Sequence, residues 1–200
     1  ADVVRGHLDD FENQRFLGRP ATFGDDRRLT NYALRAGRVV LAERSRARTA
    51  VPERLGHYVR QQVRWNKSFV RESSWVLGTF PVTHWAFWLT LVEVIGWTVV
   101  GLLTFLAAII LPLVSHPTAL ATVFLVTSLA SYARSAAYLE DVRLGMTRRE
   151  RWTTFALAPL YALLHFFVLL PIRGWALATL REPGWGTRQQ VEVRLDPVAI

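Results

Sequence analysis

The chain divides into a polar front and an apolar remainder. Residues 1–80 carry charges throughout, whereas residues 85–114 include one charged side chain, Glu93, and residues 118–139 include one, Arg134. About twenty consecutive apolar residues suffice to cross the hydrocarbon core of a bilayer. The pattern therefore predicts two transmembrane helices.

A third apolar segment, residues 155–180, lies between two basic stretches, residues 143–151 and 181–194. Positive residues tend to stay on the cytoplasmic side of a membrane, and a full crossing between the two stretches would place them on opposite sides. Pro171 and Arg173 also interrupt the segment. We therefore predict an interfacial or re-entrant helix that returns to the cytoplasm, with a true third span as the alternative.

The polar front contains a short predicted helix. Asp25 or Asp26 can cap a helix that runs to about Ala36 and ends at Gly37. Residues 38–42 are then expected to form a short strand.

A longer helix is predicted to begin at Pro52, because proline is well tolerated at the first helical position. Its apolar residues recur near intervals of three and four: Leu55, Val59, Val63, Phe69, Val70, Val76 and Leu77. Its basic residues form a stripe: Arg60, Arg64, Lys67 and Arg71. We expect this amphipathic helix to lie along the inner leaflet, with its cations on phosphates of lipid or substrate. A solvated charged face is the alternative.

Composition and charge narrow the class of protein. The chain is 51% hydrophobic, has 8 tryptophans and carries a net charge of +8. Beside membrane helices, a basic charge favours lipid headgroups and a nucleotide-linked substrate over nucleic acid. The absence of cysteine excludes disulfides and thiolate metal sites. No signal peptide is predicted, because the first residues are polar and rich in arginine.

One face of the longer helix is suited to a sugar phosphate. Gln61, Arg64 and Trp65 are spaced i, i+3 and i+4, so their side chains share a face. An amide can bind sugar hydroxyls, a guanidinium binds oxyanions, and an indole packs on the apolar face of a sugar. Asp26, which follows a glycine at a predicted helix start, is a candidate general base. Taken singly, a capping aspartate and an interfacial tryptophan need no catalysis to explain them.

Longer motifs around these residues indicate a family. They are Phe16-Leu17-Gly18, Phe23-Gly24-Asp25-Asp26-Arg27-Arg28-Leu29-Thr30-Asn31-Tyr32-Ala33, Gln61-Gln62-Val63-Arg64-Trp65-Asn66-Lys67-Ser68-Phe69-Val70-Arg71-Glu72-Ser73, and Trp185-Gly186-Thr187-Arg188. In this order and spacing they closely resemble the hyaluronan synthases, above all the bacterial membrane type. Those enzymes are processive family-2 glycosyltransferases related to cellulose synthase, chitin synthase and the Nod-factor chitooligosaccharide synthase.

The resemblance implies roles for the acidic motif. In that family the Gly-Asp-Asp triplet carries the catalytic base, which by position is Asp26. The base deprotonates the acceptor hydroxyl as this hydroxyl attacks the anomeric carbon of a UDP-sugar. Asp25 and Arg27, on either side of it, are expected to bind substrate.

The resemblance also implies roles for the two tryptophan motifs. The Gln-x-x-Arg-Trp motif, here Gln61, Arg64 and Trp65, borders the acceptor end and the donor diphosphate. The Trp-Gly-Thr-Arg motif resembles a gating loop that closes over the nucleotide and contacts its pyrophosphate. The corresponding residues are Trp185, Thr187 and Arg188.

The implied fold is that of a mainly α membrane protein, in which the C-terminal part of a GT-A (α/β) glycosyltransferase domain precedes amphipathic interface helices and transmembrane helices. The expected domains are the C-terminal part of the cytoplasmic GT-A catalytic domain (1–51), the amphipathic interface helix with the Gln-x-x-Arg-Trp motif (52–82), two transmembrane helices (83–140), a basic cytoplasmic loop with the interfacial or re-entrant helix (141–181) and a cytoplasmic tail with the gating motif (182–200). The implied location is the cell membrane, multi-pass, with cytoplasmic catalytic motifs.

The chain departs from the family at its amino-terminal side. Family members carry, ahead of the part present here, the first half of the nucleotide-binding fold, with an Asp-x-Asp that binds divalent metal and UDP. Mg²⁺ or Mn²⁺ is therefore the expected cofactor, with ligands mostly in that N-terminal half and no metal site in this chain. The acidic cluster Asp9, Asp10 and Glu12 is expected to be a surface loop. The fragment alone is expected to be inactive, with the N-terminal half or a second copy as protein partner.

The implied function is synthesis and export of hyaluronan from UDP-GlcNAc and UDP-GlcA, with the growing polysaccharide and membrane lipid as further partners and no nucleic acid. One alternative is a chitin-type or Nod-factor-type N-acetylglucosaminyltransferase that uses only UDP-GlcNAc. Another is a non-catalytic membrane scaffold subunit. The Asn66-Lys67-Ser68-Phe69 continuation favours hyaluronan, although sugar choice depends largely on the N-terminal half.

Overall fold

The computed structural model describes residues 2–21, 24–40, 52, 54–114, 117–140 and 145–182, which are mostly helical. Two compact units are present: a first unit of residues 1–94 and 172–200, and a second unit of residues 95–171. The helices are α1 (Asp2–Arg5), α2 (Leu8–Glu12), α3 (Asp25–Ala36), α4 (Leu55–Thr79), α5 (Trp85–Phe105), α6 (Leu111–Val114), α7 (Pro117–Glu140), α8 (Arg148–Ala156), α9 (Ala158–Leu164) and α10 (Leu170–Ala178). Two π-helical turns, Leu106–Ile110 and His165–Leu169, precede α6 and α10.

A small hairpin precedes α3. Strands β1 (Arg15–Phe16) and β2 (Arg19–Pro20) pair antiparallel. Leu17 and Gly18, which connect them, have φ angles of 50° and 80°. Two positive φ angles are what a two-residue type I′ hairpin turn requires, because its twist matches that of the strands.

Helix α3 has the predicted length but a different start. It runs Asp25–Ala36 and ends at Gly37, as predicted. The residue that caps it is Gly24, so the prediction that Asp25 or Asp26 caps the helix is wrong. Both aspartates lie in the first turn, where a carboxylate favourably faces the positive end of the helix dipole.

Two further boundaries differ from prediction. Helix α4 begins at Leu55, not at Pro52, because Arg54 has the extended backbone of a helix cap, with φ of −105° and ψ of 133°. A proline is accepted at a helix start but does not impose one. Residues 38–40 form no strand, contrary to prediction, and residues 41 and 42 lie outside the described residues.

Three helical stretches are long and apolar enough to cross a membrane: Trp85–Phe105, Leu120–Ala137 and Ala158–Ala178. The first two are the predicted transmembrane helices. The third is helical without interruption. Its length and composition would suffice for a full crossing. Its placement as an interfacial or re-entrant helix stays a prediction. These stretches identify the chain as that of a membrane protein.

Each π-helical turn lies next to a proline. Leu106–Ile110 precedes Pro112, and His165–Leu169 precedes Pro171. Proline lacks an N–H and its ring clashes with the carbonyl four residues earlier. A wider π turn relieves that clash, so Pro171 is accommodated without breaking the helix.

The two units have separate apolar cores. In the first, Val76, Phe80 and Ala86 form the buried cluster, against which Leu34 and Trp75 pack. In the second, the buried cluster consists of Phe166 and Leu170, with Ile109 and Val123 packed against it. The first core lies where α3, α4 and the start of α5 meet, and it holds these three elements together.

Helix α8 begins with a capping box, which gives a local test of the fold. The Thr147 hydroxyl accepts a hydrogen bond from the Glu150 N–H, and the Glu150 side chain accepts one from the Thr147 N–H. Thr147→Ala is expected to destabilise this helix start by about 1 kcal/mol, which corresponds to roughly fivefold faster amide exchange in its first turn. Hydrogen exchange with mass spectrometry measures this effect.

The matched control is Thr153→Ala on the same helix, because the Thr153 hydroxyl bonds only to the Arg149 carbonyl one turn earlier. It should leave exchange in the first turn unchanged. Equal exchange rates in the two variants would contradict the role given to the cap.

Candidate active site

The Gly-Asp-Asp motif begins with a position that only glycine fits. Gly24 has a φ of 93°, in the left-handed region that side chains disfavour. A Cβ atom placed on it would lie 2.1 Å from Oγ of Ser68 and 2.8 Å from a terminal guanidinium nitrogen of Arg71. Both neighbours belong to α4. The start of α3 therefore lies directly against α4.

The residues after Gly24 differ in exposure. Asp25 is half-buried, whereas Asp26 and Arg27 are exposed in the first turn of α3. The guanidinium of Arg27 lies 5.2 Å from the ring centroid of Phe69 on α4, within the range of a cation–π contact. This contact adds a third point at which the motif meets α4.

A buried ion cluster lies one turn further along α3. Arg28 donates from Nε to Oε2 of Glu72 at 2.8 Å and from a terminal nitrogen to Oε1 at 3.2 Å. Arg71 donates from Nε to Oε1 of the same carboxylate at 2.8 Å. The Arg28 guanidinium also lies 4.5 Å from the ring of Trp75. We call Arg28, Arg71, Glu72 and Trp75 the Glu72 cluster.

Burial and ion pairing have opposite effects on Arg28 in the Glu72 cluster. Desolvation by burial alone would lower the pKa of Arg28, but the hydrogen bond and the charge of Glu72 outweigh it and raise that pKa. The side chains of Arg71 and Glu72 are each only 2% exposed. Two cations therefore share one carboxylate out of water, where ionic hydrogen bonds are strong and the loss of one partner is costly.

Further contacts of α3 and α2 surround this cluster. Asn31 donates to Oε2 of Glu72 at 3.4 Å, and Arg28 lies 3.5 Å from Asp10 Oδ2. The Tyr32 hydroxyl also donates to Asp10 Oδ2. Burial and the Asp10 hydrogen bond raise the pKa of Tyr32 to about 12.

The contacts of Asp10 correct one expectation from the sequence. Asp9, Asp10 and Glu12 lie in helix α2, not in a surface loop. Asp10 also binds helix α3 through Arg28 and Tyr32. The sequence does not show whether an acidic residue such as Asp10, close to the Gly-Asp-Asp motif along the chain, will contact that motif in the folded protein.

The predicted basic stripe of α4 is partly wrong. Arg60 is exposed and Arg64 half-buried, but Lys67 and Arg71 are buried in the first unit. The Arg71 guanidinium serves the Glu72 cluster, so it does not belong to a solvated or lipid-facing stripe. The face of α4 that contacts α3 is polar, and Glu72, its key acid, was missed from the sequence. The sequence signal for this buried polar face was that polar residues at positions 71 and 72 follow the polar residue at position 68 by one helical turn.

The Gln-x-x-Arg-Trp motif lies on α4 as predicted. Gln61 and Arg64 are half-buried, and Trp65 is 54% exposed on the same helix. Because α4 is continuous, these side chains share a face with Ser68 and Glu72 further along. An exposed indole beside an amide and a guanidinium can bind a sugar phosphate.

A cavity of about 280 Å³ opens beside Asp26 in the first unit. Its polar lining comes from three helices: Asp26, Arg27, Thr30 and Asn31 of α3, Glu72 and Ser73 of α4, and Thr90 and Glu93 of α5. Glu93, the one charged residue of α5, thus lies on the face of that helix which lines the cavity. A group bound here would be within reach of hydroxyl, amide and carboxylate side chains.

A smaller cleft lies on the other side of α4, where Lys67 is buried. Its Nζ donates to the Glu182 carbonyl oxygen at 3.5 Å. Burial lowers the pKa of Lys67, although the Glu182 charge opposes this shift. Arg19, Arg71, Arg181 and Glu182 also line the cleft, and its volume of about 10 Å³ leaves room for no more than about one water molecule.

The gating-motif residues and the expected metal remain to be placed. Trp185, Thr187 and Arg188 lie outside the described residues. Within the ranges that the structure describes, no group of three or more histidine, aspartate or glutamate side chains could hold a metal ion. The described residues by themselves therefore do not make up a divalent-metal site.

The sequence is similar to those of named enzymes. It is 36% identical over 196 residues to the hyaluronan synthase of Streptococcus pyogenes. The aligned region covers 96% of this chain and 44% of that protein. It is 33% identical to the N-acetylglucosaminyltransferase of Neorhizobium galegae over 90% of this chain and 40% of that protein. The corresponding enzyme of Sinorhizobium fredii is 36% identical over 90% of this chain and 42% of its own length.

No protein-family model and no solved structure matches the chain. The chain spans less than half the length of these relatives. The resemblance to the hyaluronan synthases that the motifs predict is thereby confirmed, along almost the whole of this chain.

Proposed function

We propose that this chain is the carboxy-terminal part of a membrane glycosyltransferase that makes hyaluronan from UDP-GlcNAc and UDP-GlcA and exports the product. The observation that carries the proposal is the seating of the Gly-Asp-Asp helix on the same helix that bears the Gln-x-x-Arg-Trp motif. Gly24 touches Ser68, and Arg28 binds Glu72. Two motifs far apart in the sequence thus meet in one unit, beside a polar cavity.

In this proposal Asp26 is the general base. Its exposed carboxylate takes the proton of the acceptor hydroxyl, whose oxygen forms a bond to the anomeric carbon of the donor sugar. The bond from that carbon to the diphosphate oxygen breaks, and UDP leaves with the electron pair. A base positioned in this way accelerates such a transfer by typically 10²–10⁴-fold.

The other motif residues bind substrate. Trp65 offers an exposed aromatic face to a sugar of the acceptor, with Gln61 for its hydroxyls. Arg64 is assigned to the donor diphosphate, whose charge a guanidinium pairs well. Asp25 and Arg27 flank the base, and Arg27 is supported on Phe69. Trp185, Thr187 and Arg188 are assigned to a loop that closes over the nucleotide.

The rest of the enzyme is also part of the proposal. Residues 1–51 are assigned to the C-terminal part of a GT-A domain, with the catalytic motifs on the cytoplasmic side. Mg²⁺ or Mn²⁺ is proposed as the cofactor, held mostly by the N-terminal half of the enzyme. When bound, it would neutralise the charge on the leaving diphosphate. That half, or a second copy of the chain, is the proposed protein partner, and nucleic acid is not a proposed ligand.

A second candidate is supported by the similarity to rhizobial N-acetylglucosaminyltransferases. It is a chitin-type or Nod-factor-type enzyme that uses UDP-GlcNAc alone. The same base and the same acceptor face would serve it, because both reactions extend a sugar chain through a hydroxyl. A non-catalytic membrane scaffold is the candidate from another class.

The test is polymer synthesis by membranes that contain the full reading frame, supplied with radiolabelled UDP-GlcNAc and UDP-GlcA. We expect a hyaluronidase-sensitive polymer that requires both donors and is reduced at least 10²-fold by Asp26→Asn. Asp9→Asn, at an exposed aspartate of α2, is the matched control and should retain synthesis.

The other outcomes each point elsewhere. Polymer from UDP-GlcNAc alone would move the assignment to the chitin type. Full synthesis by Asp26→Asn would remove the base from the proposal, and absence of polymer from the wild-type protein would favour the scaffold.

A further inference from the structure

The two aspartates of the catalytic motif are held on both sides by α4. Before them, Gly24 lies so close to Ser68 that a Cβ atom would not fit. After them, Arg28 binds Glu72 through two hydrogen bonds, at 2.8 Å and 3.2 Å. Asp26 thus lies between two fixed points and remains exposed itself.

Both fixed points are on one strip of α4. Positions 64 and 65 lie three and four residues after position 61, position 68 lies four and three residues after them, and positions 72 and 75 continue the pattern. The side chains at these positions therefore share one face of α4. Ser68 is four residues after Arg64, which is about 6 Å along a helix axis. One rigid helix therefore carries both the Gln-x-x-Arg-Trp motif and the seat of the Gly-Asp-Asp helix.

Glu72 is the residue on which this seat depends. It is 1% exposed, and both of its carboxylate oxygens accept hydrogen bonds from buried guanidinium groups. Arg28 donates to both oxygens of the Glu72 carboxylate, and its guanidinium carbon lies 4.5 Å from the centroid of the Trp75 ring. Such bidentate contacts fix orientation as well as distance, which a single hydrogen bond does not.

We infer that Glu72 is a positioning residue for the proposed transfer: through Arg28 it sets the location of Asp26 relative to the acceptor-binding face of α4. The inference rests on the proposed function. Glu72 itself does not touch the reacting atoms in this role. A displacement of a catalytic group by about 1 Å can cost 10²-fold in rate, so a seat of this kind has a measurable effect on turnover.

The test uses the full-length enzyme with two variants, Arg28→Lys and Glu72→Gln. Arg28→Lys keeps the positive charge but cannot form the two parallel hydrogen bonds to Glu72. This variant therefore still tests the inference if Glu72→Gln folds poorly. Turnover is measured as UDP release per folded molecule, with folded protein counted by size-exclusion chromatography. We expect kcat to fall at least tenfold in each folded variant, while the KM for each UDP-sugar stays within about threefold.

Ser74→Ala is the matched control on the same helix, because the exposed Ser74 hydroxyl bonds only to the Val70 carbonyl. It should keep the wild-type kcat. A kcat per folded molecule that stays at the wild-type value in Arg28→Lys, with only the yield or melting temperature reduced, would overturn the inference. So would a rise in KM without a fall in kcat.

Asp26→Asn separates this inference from the proposed function. If Asp26→Asn is inactive and Arg28→Lys is fully active, the base stands and the positioning role fails. If Asp26→Asn turns over like the wild type, the proposed base fails, whatever the Glu72 variants do.

Discussion

Gly24→Ala is expected to abolish polymer synthesis by the full-length enzyme, with a loss of at least 10²-fold in activity. The substitution forces a side chain into a left-handed backbone, at a cost of about 1–2 kcal/mol. It also places a Cβ atom 2.1 Å from Ser68 Oγ and 2.8 Å from an Arg71 guanidinium nitrogen. Neither neighbour can retreat easily, since both are buried. Helix α3 must therefore lift from α4 and move Asp26 with it.

Synthesis is measured in membranes as incorporation of labelled sugar, normalised to the amount of enzyme. The matched control is Gly37→Ala at the other end of α3, where φ is 177° and a new Cβ atom would meet no atom of a non-neighbouring described residue within 4 Å. It should retain most of the activity. Near-normal synthesis by Gly24→Ala would show that the close approach of α3 to α4 is not required.

The local features of the fold could be predicted from the sequence because they depend on neighbouring residues. The C-terminal end of α3 at Gly37 and the two long apolar helices follow from glycine and hydropathy within one segment. The start of α4 was misplaced because Pro52 permits a helix start without imposing one. The prediction of a strand at residues 38–42 failed over residues 38–40 for a similar reason. β-Propensity is weak without a partner strand.

The charged residues of α4 show what the sequence could not supply. Spacing alone placed Arg64, Lys67 and Arg71 on one stripe, and their charge favoured an exposed or lipid-facing location. In the structure Arg71 is buried against Glu72, which also binds Arg28, a residue 44 positions away. Whether a charged residue is solvated or buried depends on the helix that packs against it. That information is absent from the helix's own periodicity.

The candidate site also has a part that the sequence predicts and a part that only the tertiary structure shows. The motif spacing of Gln61, Arg64 and Trp65 correctly placed these residues together on a helix, and the resemblance to a family assigned their roles. The contact between α3 and α4, and the cavity that brings Asp26 and Glu93 to one lining, arise from tertiary packing. A charge within an apolar helix signals a functional site, but the sequence does not say which groups it will meet.

Glu72→Met is expected to lower the free energy of unfolding by roughly 3–5 kcal/mol, the other large effect that the structure predicts. The variant leaves the Arg28 and Arg71 guanidinium groups buried without the carboxylate that both now bind. Methionine has a similar volume, so the loss comes from uncompensated charge and not from a cavity. Thermal unfolding of the purified full-length protein, followed by tryptophan fluorescence, measures the change.

The control for charge removal is Glu12→Met, at an exposed glutamate of α2, which should change stability by less than about 0.5 kcal/mol. Arg28→Met combined with Glu72→Met should recover part of the loss, because it removes one of the two buried cations together with their shared partner. If Glu72→Met were no less stable than Glu12→Met, the Glu72 cluster would not hold α3 on α4. The place of the proposed base would then have to be set by the other contacts of α3 with α4, at Gly24 and at Arg27.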